Sequence, residues 1–97
     1  MSEPLFRVQV GHDTVSIFPL STIKTYNFNE RADAKQRHLF AFEVTTKGRP
    51  EKPFVYFFRS PNETKIAYER LKQGLEESGD VGIRVDPADN LHLLPPS

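Results

Sequence analysis

The chain has no cysteine, no tryptophan and no excess of charge of either sign. Without cysteine there are no disulfides, no thiol nucleophile and no thiolate-held metal. Small secreted domains commonly depend on such crosslinks, so a reducing cytoplasm is the expected location. No stretch approaches the ~20 consecutive apolar residues of a spanning helix. The opening MSEPLFRVQV also lacks the charged start and apolar run of a secretion signal. No membrane role is expected. Thirteen Lys and Arg balance thirteen Asp and Glu. Dedicated phosphate binders gain affinity from a basic excess, so nucleic-acid binding here would have to rest on a local patch.

What is present is ordinary for a small globular protein. Ninety-seven residues make one domain, 1–97, able to bury about 60–70% of its unfolded surface. Aromatic residues are 11% of the chain, as eight Phe and three Tyr. A core this small needs those rings, since each removes a large apolar area from water.

Residues 5–10, LFRVQV, alternate with Phe6, Val8 and Val10 on one face, the pattern of a half-buried strand. The turn GHD leads to TVSIF, which predicts a second strand with Val15 and Ile17 inward and Pro19 at its end. STIKTYNF is a third strand, with Ile23 and Thr25 on one face and Lys24, Tyr26 and Phe28 on the other. Residues 29–37, NERADAKQR, lack apolar periodicity and read as an exposed loop, with room for one helical turn. HLFAFEVTT is a strand presenting Phe40, Phe42 and Val44 to one side and Leu39, Ala41 and Glu43 to the other. KGRPEK then connects it to PFVYFF.

The sharpest local signal is a helix start. Ser60 and Glu63 have the spacing of a capping box, in which each side chain takes the other's backbone N–H. Pro61 falls at the first helical position, where its missing N–H costs nothing. The helix is expected over about 61–78, with Ile66, Ala67, Leu71, Gly74, Leu75 and Ser78 along one stripe and Gly79 ending it. VGIRV and LHLL, separated by the turn DPADN, predict a small final hairpin, and PPS reads as a frayed end. The fold class expected is α+β: a curved antiparallel sheet of five to seven strands, a half-barrel, packed against one long helix with short strands after it.

Residues 42–77, a strand pair running straight into a capped amphipathic helix, resemble the last part of a pleckstrin-homology-like domain. Tyr68 stands where that family's helix usually carries an aromatic residue. VSIFPLSTI is similar to the opening strands of bacterial members. The resemblance implies an interaction module. It argues against phosphoinositide binding, because the first loop is GHD, with no Lys or Arg.

Chemistry-bearing patterns are sparse. His12, His38 and His92 lack metal-ligand spacing. Asp86, Asp89 and Asn90 are turn residues rather than a calcium loop. The five Gly are scattered, so there is no phosphate-cradling loop. Glu63, Glu69, Glu76 and Glu77 share the exposed part of one helix, a poor setting for a general acid. The expectation is a protein that is not an enzyme and holds no cofactor or metal.

Two features point to partners. PFVYFF is apolar on both faces, with Phe54, Tyr56 and Phe58 assigned to the helix and Val55 and Phe57 turned away. The second face gathers Tyr26, Phe28, Val55 and Phe57, with Leu39 and Ala41 beside them. Either the sheet curls to bury this face or it forms an apolar patch for another protein or a second copy of the chain. The competing class is nucleic-acid binding through Arg31, Lys35, Arg37, Lys47, Arg49 and Lys52, with Tyr26 or Phe57 stacking on bases. Salt separates the two, because only phosphate contacts weaken steeply with ionic strength.

Overall fold

The computed structural model describes residues 3–32 and 38–94. The chain forms β1 (Leu5–Val10), β2 (Asp13–Pro19), β3 (Ile23–Ala32), β4 (His38–Thr46), β5 (Arg49–Phe58), α1 (Pro61–Glu77) and β6 (Val81–Val85). Short 3-10 turns follow β2 (Leu20–Thr22) and β6 (Pro87–Asp89, Leu91–Leu93). The class is α+β. The strands do not make one continuous curved sheet: they form two three-stranded sheets, ordered β2-β1-β6 and β3-β4-β5.

The first sheet contains the largest departure from expectation. β6 pairs with β1, and in parallel, so VGIRV is not one arm of a final hairpin and LHLL is a 3-10 turn. Helix α1 makes this possible. It spans about 25 Å at 1.5 Å per residue, carries the chain back across both sheets, and delivers Val81 beside Phe6. Asp80 fixes the entry by accepting the Leu5 N–H at 2.8 Å.

Register explains a second correction. Residues directly opposite in an antiparallel pair share a face. Phe18 lies opposite Phe6, and Ile17 opposite the exposed Arg7. Phe18 therefore enters the core, stacked on Phe6 with ring centroids 5.3 Å apart, and Ile17 is left outside. The expected inward Ile17 assumed unbroken alternation. The ladder instead has an irregularity between Val8 and Gln9, leaving Val15 packed against the core and shifting its neighbours.

β3 is longer than expected and continues through Ala32 into the segment read as a loop, paired with β4 as far as His38. The rest of that loop, residues 33–37, lies outside the described residues, as does the final PPS. One apolar cluster joins the layers, drawing Phe6, Val8 and Ile83 from the first sheet, Phe42, Val44 and Tyr56 from the second, and Ala67 and Leu71 from α1.

The helix begins and ends by rules slightly different from those expected. Pro61 does occupy the first position, and Ser60 caps it, but Ser60 Oγ accepts from Asn62 N (3.2 Å) rather than from Glu63. Thr64, fully buried, donates its hydroxyl to Ser60 O at 3.0 Å. At the other end Ser78, not Gly79, adopts the left-handed conformation (φ 56°), and Gly79 N donates to Gly74 O at 3.1 Å. The buried stripe is Thr64, Ala67, Leu71 and Gly74, with Tyr68 and Leu75 partly covered. Ile66, expected within it, is 52% exposed.

Candidate functional site

The four residues expected to share the second sheet face do not share one. Tyr26 and Phe28 lie opposite Val44 and Phe42, which in turn lie opposite Phe54 and Tyr56. All six are on the helix side. Tyr68 of α1 covers the pair, its ring 4.9 Å from that of Tyr26 and 5.3 Å, edge-on, from that of Phe28. Burial, helped by Tyr68 and the helix carboxylates Glu76 and Glu69, raises the Tyr26 pKa above its ordinary value. The error was one of parity. A strand offers two faces, and without its register nothing in STIKTYNF says which is inward.

Val55 and Phe57 are on the opposite face, with Ala41 and Glu43 across from them, and both are half-buried. The chain's own last residues supply much of their cover. Asn90 accepts the Phe57 N–H at 2.7 Å and donates to the Phe57 carbonyl at 2.9 Å. His92 sets its ring 5.4 Å from that of Phe57, edge-on, and its Nε2 lies 2.8 Å from the Val55 carbonyl. Neighbouring Asp89, buried, holds the exposed Arg59 at 2.7 Å, and this carboxylate raises the Arg59 pKa. β5 is an edge strand, and these contacts close the part of its edge that an open sheet would leave unpaired.

The basic residues separate as well. Arg31 pairs with Leu39 at the start of β4, whereas Thr46 at its end pairs with Arg49. Seven residues of strand, roughly 23 Å, divide Arg31 from the turn at Lys47 and the first residues of β5, where Arg49 and Lys52 lie, so these do not form a single positive edge. Lys35 and Arg37 lie outside the described residues. Arg49 is drawn to its own sheet, its guanidinium carbon 5.7 Å from the Phe54 ring centroid.

A groove that sequence reasoning missed runs between α1 and β6. One cavity of about 400 Å³ is bounded by Ile66 and Arg70 of the helix, Ile83 and Arg84 of β6, and Phe57 and Arg59 at the end of β5. A second, of about 350 Å³, continues from Arg70 past Gln73 and Glu77 and along Asp80 to Gly82. Ile66, Arg70, Gln73 and Glu77 recur at three- and four-residue spacing, so one helix face lines the whole length. The only hint in the sequence is Ile66, a β-branched apolar residue followed at once by Ala67 of the buried stripe.

Among the described residues, no three His, Asp or Glu side chains are close enough together to hold a metal, and no helix is long and apolar enough to cross a membrane. No known protein family, curated protein or solved structure matches the chain.

Proposed function

We propose that the chain is a small, non-enzymatic protein-interaction module that takes hold of a partner in the groove between α1 and β6. The observation that carries this reading is Ile66. It leaves half its surface in water beside a cavity whose other walls mix apolar side chains such as Phe57 and Ile83 with both arginines and the carboxylates of Glu63, Asp86 and Asp89. An apolar centre with a polar and charged rim is the arrangement of protein-binding surfaces. The β4–β5–α1 run supports a pleckstrin-homology-like scaffold for such a module, and the cysteine-free composition suits the cytoplasm. The nucleic-acid reading would have to stand on Lys47, Arg49 and Lys52, a small footprint for phosphate contacts.

The reading is tested by selecting binders from a displayed library of short random peptides and comparing the chain with its Ile66→Asp variant. Selected peptides should bind the parent and lose roughly tenfold or more in affinity on the variant, a difference of about 1.4 kcal/mol. The fold should survive, because the new carboxylate sits at the surface. A library that yields no binders, or binders indifferent to Ile66→Asp, would overturn the reading.

A further inference from the structure

β5 has a strand, β4, on one side only. From Phe54 to Phe58 it reads FVYFF, five residues without charge, proline or glycine. Short uncharged runs of aromatic and β-branched residues pair readily with copies of themselves, and an open strand edge gives them the place to do so. Alternate residues of a strand turn their N–H and C=O groups to opposite edges. The Phe57 N–H and C=O and the Val55 C=O are held by Asn90 and His92, so Val55 and Phe57 turn these groups away from β4. Lysine and proline are common guards of such an edge. Here Lys52 and Pro53 stand before the run and leave its length unguarded.

From these contacts we infer that the C-terminal turns, Pro87–Asp89 and Leu91–Leu93, are an autoinhibitory strap that keeps β5 from pairing antiparallel with β5 of a second copy of the chain. The groove beside β6 plays no part in it. The strap holds the edge with three side-chain contacts, two from Asn90 and one from His92, where a ladder would otherwise run. Its release frees the place beside β5 that the turns fill, which is where a strand would lie. A two-fold axis at Tyr56 sets Val55 of one copy opposite Phe57 of the other. The outward N–H and C=O groups of these residues then meet in two hydrogen-bonded pairs. An aromatic residue opposite a β-branched one is also a favourable cross-strand pair. The same axis sets Phe54 opposite Phe58, so the uncharged run is matched along its whole length by its own sequence. The product is one continuous sheet, in which β3-β4-β5 joins its two-fold mate.

Sedimentation of the full chain and of its Asn90→Ala/His92→Ala variant tests this. The variant should dimerise with a self-affinity at least about tenfold tighter than that of the parent. In the dimer, amide hydrogen exchange should slow at Val55 and Phe57, and the slowing should grow with concentration. Val55→Lys added to the variant should return it to a monomer, because a charge on an edge strand blocks its pairing. Gly74→Ala, at the contact of α1 with Val81, is the control for lost stability. It should melt early yet associate no more than the parent. His92→Ala alone removes an exposed side chain, should keep the fold, and should tighten self-affinity about threefold. That variant decides the matter if the double variant does not fold. Folded strap variants that associate no more than the parent would overturn the strap. So would dimers whose Val55 and Phe57 amides exchange freely, or association of Gly74→Ala as tight as that of the strap variants.

Discussion

The side chain of Asn90 behaves toward Phe57 as a neighbouring strand would, accepting its N–H at 2.7 Å and donating to its carbonyl at 2.9 Å. A second Asn90 hydrogen goes to Asp86 O at 2.9 Å. The residue is fully buried, and every polar hydrogen of its amide is used. One side chain thereby docks the C-terminal turns onto the edge of the second sheet. Leu93 and Leu94 beyond it pack against the shared core.

Replacing Asn90 should accordingly be costly. Asn90→Leu strands the Phe57 N–H and C=O and the Asp86 C=O away from water. A loss of about 2–4 kcal/mol is expected, since each orphaned buried group costs about 1–3 kcal/mol and some rehydration will occur. Urea unfolding measures it. Asn90→Asp should also be destabilising, because it keeps an acceptor for the Phe57 N–H but loses both donors. A loss under about 0.5 kcal/mol for either variant would mean that the tail does not dock as described.

At Gly74, α1 approaches Val81 of β6 closely. A Cβ there would fall inside the van der Waals shell of Val81 Cγ2 and lie 3.1 Å from Gly79 O. Gly74→Ala should therefore destabilise the protein by about 1–3 kcal/mol through overpacking, although alanine is the better helix former by about 1 kcal/mol. Adding Val81→Ala should recover part of the loss. Thermal melts of the single and double variants provide the comparison.

Ser78 occupies a left-handed conformation, φ 56° and ψ 41°, which costs a residue with a side chain roughly 1–2 kcal/mol. Glycine adopts it freely. Ser78→Gly should stabilise the protein by about 0.5–1 kcal/mol, visible as a higher urea midpoint with an unchanged slope. A decrease in stability would contradict the helix end described above.

Tyr56 makes stability fall at high pH. Burial pushes its hydroxyl up from 10.0 to about 12, offset in part by Ser16. The folded pKa is above the unfolded one, so the native state binds the proton more tightly. Its contribution is complete below pH 10 and is lost as pH rises from about 10 to about 12. Two units correspond to about 2–3 kcal/mol. Tyr56→Phe removes the titration, so the gap in stability between parent and variant should narrow or reverse in favour of the variant across that window. Urea unfolding on either side of pH 10 provides the check.

Legibility followed the range of the interactions. Phe6, Val8 and Val10 declared their strand and its inner face, and Ser60 with Pro61 declared a helix start, because both signals are complete within a few residues. Even there the finer chemistry depended on geometry: Ser60 bonds Asn62, and the left-handed turn comes one residue early. Ile17, Ile66, Tyr26 and Phe28 show where local reading stopped. Each is apolar in an element that was correctly foreseen, yet its direction depends on a register or a helix rotation set by distant residues. Asn90 is the clearest case. In DPADN it is a turn residue, and nothing nearby shows that it will meet Phe57, 33 positions away.

Composition and short-range pattern were therefore enough for an α+β chain with one helix, a phenylalanine-rich core and no crosslinks. Long-range pairing made the rest: two sheets instead of one, β6 running parallel to β1, and a groove beside an open strand edge. The reason is physical. Periodicity records which residues avoid water, but the strand that completes a ladder is chosen by closure of the whole core. In this chain that choice joins residues 6 and 81, which have no means of announcing one another in sequence.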